Sequence, residues 1–112
     1  MSDADLETID ISIKQAKENV ALKRSLLRLQ ENPDFDKLMI NGYFENEAVR
    51  LVLLRADPSQ QDEAAQATIN KQLDSIGFLR QYFIAVNQIG AMAEKAIQDD
   101  ERTREDILAE HG

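Results

Sequence analysis

From residue 76 to residue 97 the chain places an apolar or small residue at every third or fourth position: Ile76, Leu79, Phe83, Val86, Gly90, Ala93 and Ile97. Residues at that spacing share one side of an α-helix and can enter the holes of a facing helix. This seam commits the chain to helix-on-helix packing. A second row, Phe78, Tyr82, Ala85, Ile89, Met92 and Ala96, runs beside the first, so the apolar stripe is wider than a two-stranded coiled coil needs. The helix that carries both rows therefore calls for more than one neighbour.

That helix is predicted over 59–98. Ser59 with Asp62 three residues on resembles a capping box, with Asp in place of Glu or Gln. At about 1.5 Å per residue it would run roughly 60 Å. Upstream, a first helix is predicted over 6–30, with Leu6, Ile9, Ile13, Ala16, Val20 and Leu27 inside and Leu22, Leu26 and Leu29 in a flanking row. Lys23 stands where that spacing asks for an apolar residue, and the buried face shifts sides near the C-terminal end. The acidic start and the basic end at Arg24 and Arg28 suit the helix dipole.

Asn32-Pro33 stops the first helix, because proline disfavours α geometry in the residue before it and fits at the first position of the next helix. A short second helix is predicted over 33–40, capped by Asn32, with Phe35, Leu38 and Met39 inward, and Asn41-Gly42 is read as its left-handed end. A third, over 44–56, is apolar on most sides and is expected to be the most buried element. Asp57-Pro58 ends it. The charged tail 99–112 is read as a solvated helical extension, with Ile107 and Leu108 as its large apolar residues and a partner contact there as the alternative. Apart from bends at Gly77 or Gly90, the first helix, at about 37 Å, leaves part of the seam uncovered, which points to a homo-oligomer through Ile76 to Ile97.

The expected fold class is all-α: one domain over 1–112, a small helical bundle or helical hairpin of three to four helices with one long C-terminal helix. Helix-forming residues dominate, there is no Trp, and 43% of residues are hydrophobic. With no cysteine, disulfides, thiolate metal sites and thiol nucleophiles are excluded. No apolar run approaches the roughly 20 residues of a membrane span. The acidic N-terminus is unlike a signal peptide, so the chain is expected to be soluble and retained where it is made. A net charge of −8 opposes nucleic acid binding, although Lys14, Lys17, Lys23, Arg24 and Arg28 form a basic stretch, read first as a solvated face and second as a site for an acidic partner or an RNA backbone.

Catalytic chemistry has little to stand on. The sole histidine, His111, is next to the C-terminus, and the four glycines are isolated. The carboxylate pairs Asp34 with Asp36, and Glu45 with Glu47, are two residues apart, which on a helix sends them to different faces. Asp99, Asp100 and Glu101 lack the ligand order of a calcium loop. Tyr43, Phe44, Tyr82 and Phe83 are read as core rather than as a base-stacking platform. No enzyme activity, cofactor or metal is expected.

The phrase from Asn32-Pro33-Asp34-Phe35 through Asn41-Gly42-Tyr43-Phe44 to Val52, followed by Arg55-Ala56-Asp57-Pro58, resembles small helical proteins encoded among the head and tail genes of tailed bacteriophages. The similarity covers about residues 20–98. It implies a virion or virion-assembly component that acts by helix packing, with other virion proteins as partners, and it carries no site residue. The alternative reading is an acidic adaptor or inhibitor of a host protein, of the counter-defence type.

Overall fold

The first helix, α1 (Asp3–Gln30), begins earlier than 6–30 because Asp3 and Asp5 occupy its first turn, where carboxylates face the positive end of the dipole. These helices belong to a computed structural model that describes residues 3–111. The described residues are helical almost throughout, with no strand among them; the fold is all-α. After α1 come α2 (Pro33–Phe35), a π-helical segment (Asp36–Glu47), α3 (Ala48–Ala56), a 3-10 turn (Pro58–Gln60) and α4 (Glu63–His111).

Asn32 caps α2 as predicted, its Oδ1 accepting the Asp34 N–H at 2.9 Å. Asn41-Gly42 does not end the helix. Winding continues without a coil residue from Pro33 to Ala56, and no described residue has positive φ. A glycine without Cβ serves a left-handed cap or a close backbone approach equally well, and here it serves the second. A Cβ on residue 42 would sit 2.9 Å from the Lys37 carbonyl oxygen, five residues back, the separation bridged by π-helical hydrogen bonds. The wider winding leaves Leu38 exposed, whereas Phe35 and Met39 are half-buried.

The corner between α3 and α4 is built from side chains. Asp57 accepts the Ser59 N–H at 2.8 Å and the Ser59 hydroxyl at 2.7 Å. The Gln61 amide donates to the carbonyls of Arg55 and Asp57, and the Gln66 amide to those of Arg55 and Gln60, which satisfies acceptors left open beyond a helix end. The long helix therefore starts at Glu63, with Asp62 as its cap through the Ala65 N–H at 3.1 Å, because Ser59 is engaged by Asp57. It then runs through Gly77, Gly90 and the charged tail to His111.

This corner gives a pH dependence. The Ser59 N–H and then its hydroxyl hold the Asp57 carboxyl below the ordinary aspartate value, which is about 3.9. Folding lowers this pKa, so the contribution is complete above the unfolded value and lost as pH falls through the folded value. Asp57→Asn keeps an acceptor but does not titrate. In urea titrations at stepped pH, wild type is expected to lose stability relative to Asp57→Asn below about pH 4; parallel curves there would show that the carboxylate is not what holds the turn.

By its contacts the chain falls into two compact units, Met1–Leu27 with Ala85–Gly112, and Arg28–Ile84. In the first, α1 runs antiparallel to the later part of α4. Asp10 pairs with Arg104 at 3.5 Å, Ser12 donates to Asp100 at 2.8 Å, and Lys23 pairs with Glu94 at 3.1 Å. Ala16, Val20 and Ala93 form its core with Ile97 packed on them. Leu26 rather than Leu27 is buried at the end of α1, the change of face that the sequence indicated. In the second unit, Leu51, Ile69 and Ile76 are buried together, enclosed by Tyr43, Phe44, Ala48, Leu54 and Leu73.

Two expectations about burial change. Helix α3 is not the most buried element: Leu51 is its one buried residue, and Val49, Val52 and Leu53 are exposed. Unit two covers a single face of that helix, and β-branched or leucine content by itself does not select which face. In the tail, Ile107 is 1% exposed while Leu108 is open. Among the described tail residues Ile107 is thus buried and Asp100 half-buried, and the others are exposed.

Candidate functional site

Each member of the 76–97 seam faces inward or sits at the edge of a core. Ile76 is buried against Leu51 and Ile69. Phe83 meets Phe35 edge-on at 6.0 Å between ring centres and Phe44 at 5.9 Å, spacings at which aromatic pairs attract. Leu79 and Val86 are half-buried. Gly90 and Ala93 are buried, and Ile97 packs on the Ala16 cluster. Five of the seven residues, Ile76, Phe83, Gly90, Ala93 and Ile97, thus have packing partners within their own chain.

The Gly90 contact explains the interruption at Lys23. A Cβ on residue 90 would overlap the Lys23 side chain, beginning at its Cβ. The lysine stem lies in the hole that the glycine leaves, and the ammonium reaches Glu94 at the edge, with the lysine side chain 18% exposed. A long basic side chain can occupy a seam position this way, with its stem packed and its charge at the solvent boundary. Lys23 paired with a glycine on the other apolar face was the sequence signal for this pairing.

The second row supplies four of the six exposed large hydrophobic side chains on the described part of α4, with Ile84 and Leu108 as the others. On α4, Phe78 is 69% exposed, Tyr82 58%, Ile89 49% and Met92 72%. Within the first unit, Ile89, Met92 and Ala96 form one wall of a groove of about 330 Å³, with Gln15 and Asn19 of α1 opposite and Ala16 and Ala93 between them. A second groove, on another side of α1, holds Lys14 and Lys17 with Asp10 and Glu18. Its mixed sign, and the engagement of Lys23 by Glu94, break up the basic stretch seen in the sequence.

Two of the carboxylate candidates, Glu47 and Asp100, are engaged within the chain. Arg50 is hydrogen-bonded to Glu47, which holds the Glu47 carboxyl below its ordinary value and raises the guanidinium. Asp100 accepts from Ser12. Tyr43 and Phe44 sit beside the Leu51 core. Among the described residues no three His, Cys, Asp or Glu side chains are grouped to hold a metal ion, and no described helix is long and apolar enough to cross a membrane.

Comparison with protein-family models, curated proteins and solved structures finds no match.

Proposed function

We propose that this chain is a non-enzymatic helical protein that works by association, as a structural or assembly component of a tailed-phage virion, and that its helices become a small bundle when copies come together. One observation carries the association part. Among the described residues, fourteen large hydrophobic side chains are exposed while nine hydrophobic residues are buried, and contiguous exposed apolar surface is characteristic of interaction sites. The assignment to a virion rests on the resemblance of residues 32–58 to phage head and tail gene products.

Sedimentation at micromolar concentration, together with immunodetection in purified particles, tests both parts. Oligomers and a particle signal are the expected result; a monomer absent from particles would remove the reading. The exposed Val49, Val52 and Leu53 of α3 favour a second reading, an acidic adaptor or inhibitor of a host protein. In that case virions would lack the chain, and a pulldown from host lysate would return one stoichiometric partner.

A further inference from the structure

We infer that the outer face of α3 is a docking surface for an acidic amphipathic helix of another protein, which lays its apolar side along Val49, Val52, Leu53 and Ala56 and sets carboxylates against Arg50 and Arg55. The inference gives the second reading above a contact face and a partner chemistry, and rests on that reading.

Every residue involved belongs to the unit Arg28–Ile84. Helix α3 turns Leu51 into the core of that unit, with Ala48 and Leu54 packed on the same cluster. Val49, Val52 and Leu53 lie on the opposite side and are exposed, and Ala56 is exposed beside them. The four are separated by three, one and three residues, the i, i+3, i+4, i+7 spacing by which one helix seats on an apolar partner surface. A helix face turned only to water carries polar side chains instead. Valine is also a weaker helix former than alanine, glutamate or lysine, so at these exposed positions it adds little to the helix or to the core.

Charge identifies the partner. The charged residues of α3 are Arg50 and Arg55, with no carboxylate among them, in a chain of net charge −8. At about 3.6 residues per turn the two arginines fall on opposite margins of the apolar stripe. Glu47 takes the Nε and Nη2 donors of Arg50, and a guanidinium has further N–H donors on Nη1 for a second carboxylate. Arg55 is exposed and makes no ion pair among the described residues. A partner helix with carboxylates along both edges of its apolar side meets both cations. A second copy presenting the same face is the poorer occupant, because in either orientation arginine meets arginine at the margins, where coiled-coil partners are selected by opposite charge.

The probe is a synthetic helical peptide with leucines at the same spacing and glutamates along both margins, titrated into the full isotope-labelled chain; a control peptide carries lysine for every glutamate. The glutamate peptide is expected to shift the amide resonances of residues 48–56, with the control binding about 10-fold more weakly or worse. Arg55→Glu is expected to narrow that preference. Leu53→Ala, at an exposed position, is expected to weaken binding about 10-fold with unchanged helix content by circular dichroism. Equal affinity for the two peptides, or no shift in 48–56 at about 1 mM peptide, would overturn the inference. So would a wild-type oligomer that Leu53→Ala dissolves, since a second copy would then occupy the face. A host partner held equally by wild type and Leu53→Ala would overturn this face and leave the second reading standing; a chain that ignores both peptides and returns no partner would remove both.

Discussion

Leu51→Ala is expected to destabilise the protein by about 2 to 5 kcal/mol, the range for deleting a buried leucine where the surroundings close only in part. Leu51 is 1% exposed and touches both Ile69 and Ile76, so its removal opens a cavity where α3 and α4 meet. For a cooperative unit of this size the loss corresponds to a fall of roughly 8 to 40 °C in Tm. Leu53→Ala supplies the contrast. It makes the same chemical change two residues along, at a position 68% exposed, and should stay within about 0.5 kcal/mol of wild type. Thermal melts of the two variants side by side would decide the matter; equal losses would mean that α3 is covered on both faces in solution.

The second large effect is a difference in sign between two glycines of one helix. Alanine in place of glycine favours a helix interior by about 1 kcal/mol. At Gly77 an added Cβ meets nothing within 4 Å, so Gly77→Ala is expected to raise stability by up to about 1 kcal/mol. At Gly90 the added Cβ overlaps the Lys23 stem at its root, and no rotation about χ1 moves that atom. The helices must separate, and overpacking of this kind costs about 1 to 3 kcal/mol. Gly90→Ala is therefore expected to be net destabilising, with a lower midpoint in denaturant. Shifts of the same sign for both variants would show that α1 does not lie against α4 at this point.

Much of the secondary structure was legible because its signals are local. Asn32-Pro33 and Asp57-Pro58 restrict backbone geometry within a few residues, and helices end beside them. The face of α1 was legible for the same reason, since Ile13, Ala16 and Val20 keep helical spacing and all three are buried. What failed depended on distant partners or on a choice between two uses of one residue. Gly42 fits a left-handed cap as well as a wide turn, and its neighbours do not distinguish them. Ser59 resembled a cap until Asp57 engaged it.

The candidate surface was half legible. Both rows of α4 were visible, but which one stays open depends on where α1 and the 33–56 helices sit. Two adjacent apolar rows compete for the same internal partners. The seam pairs well with them because Gly90 receives Lys23 and Phe83 meets Phe35 and Phe44. Phe78 and Met92 remain outside. None of those pairings can be read from helical period, which ranks faces by apolar content and not by fit.

The lysine stem seated over Gly90 also sets alignment along the helix pair. Small side chains such as Ala16 and Ala93 would tolerate a neighbouring setting almost as well as the native one. If α1 slipped by one turn, Lys23 would come to rest near Val86 or Ala93, where a Cβ already fills the space, and its ammonium would lose Glu94. A peg with a single socket thus gives two otherwise forgiving surfaces one way to mesh.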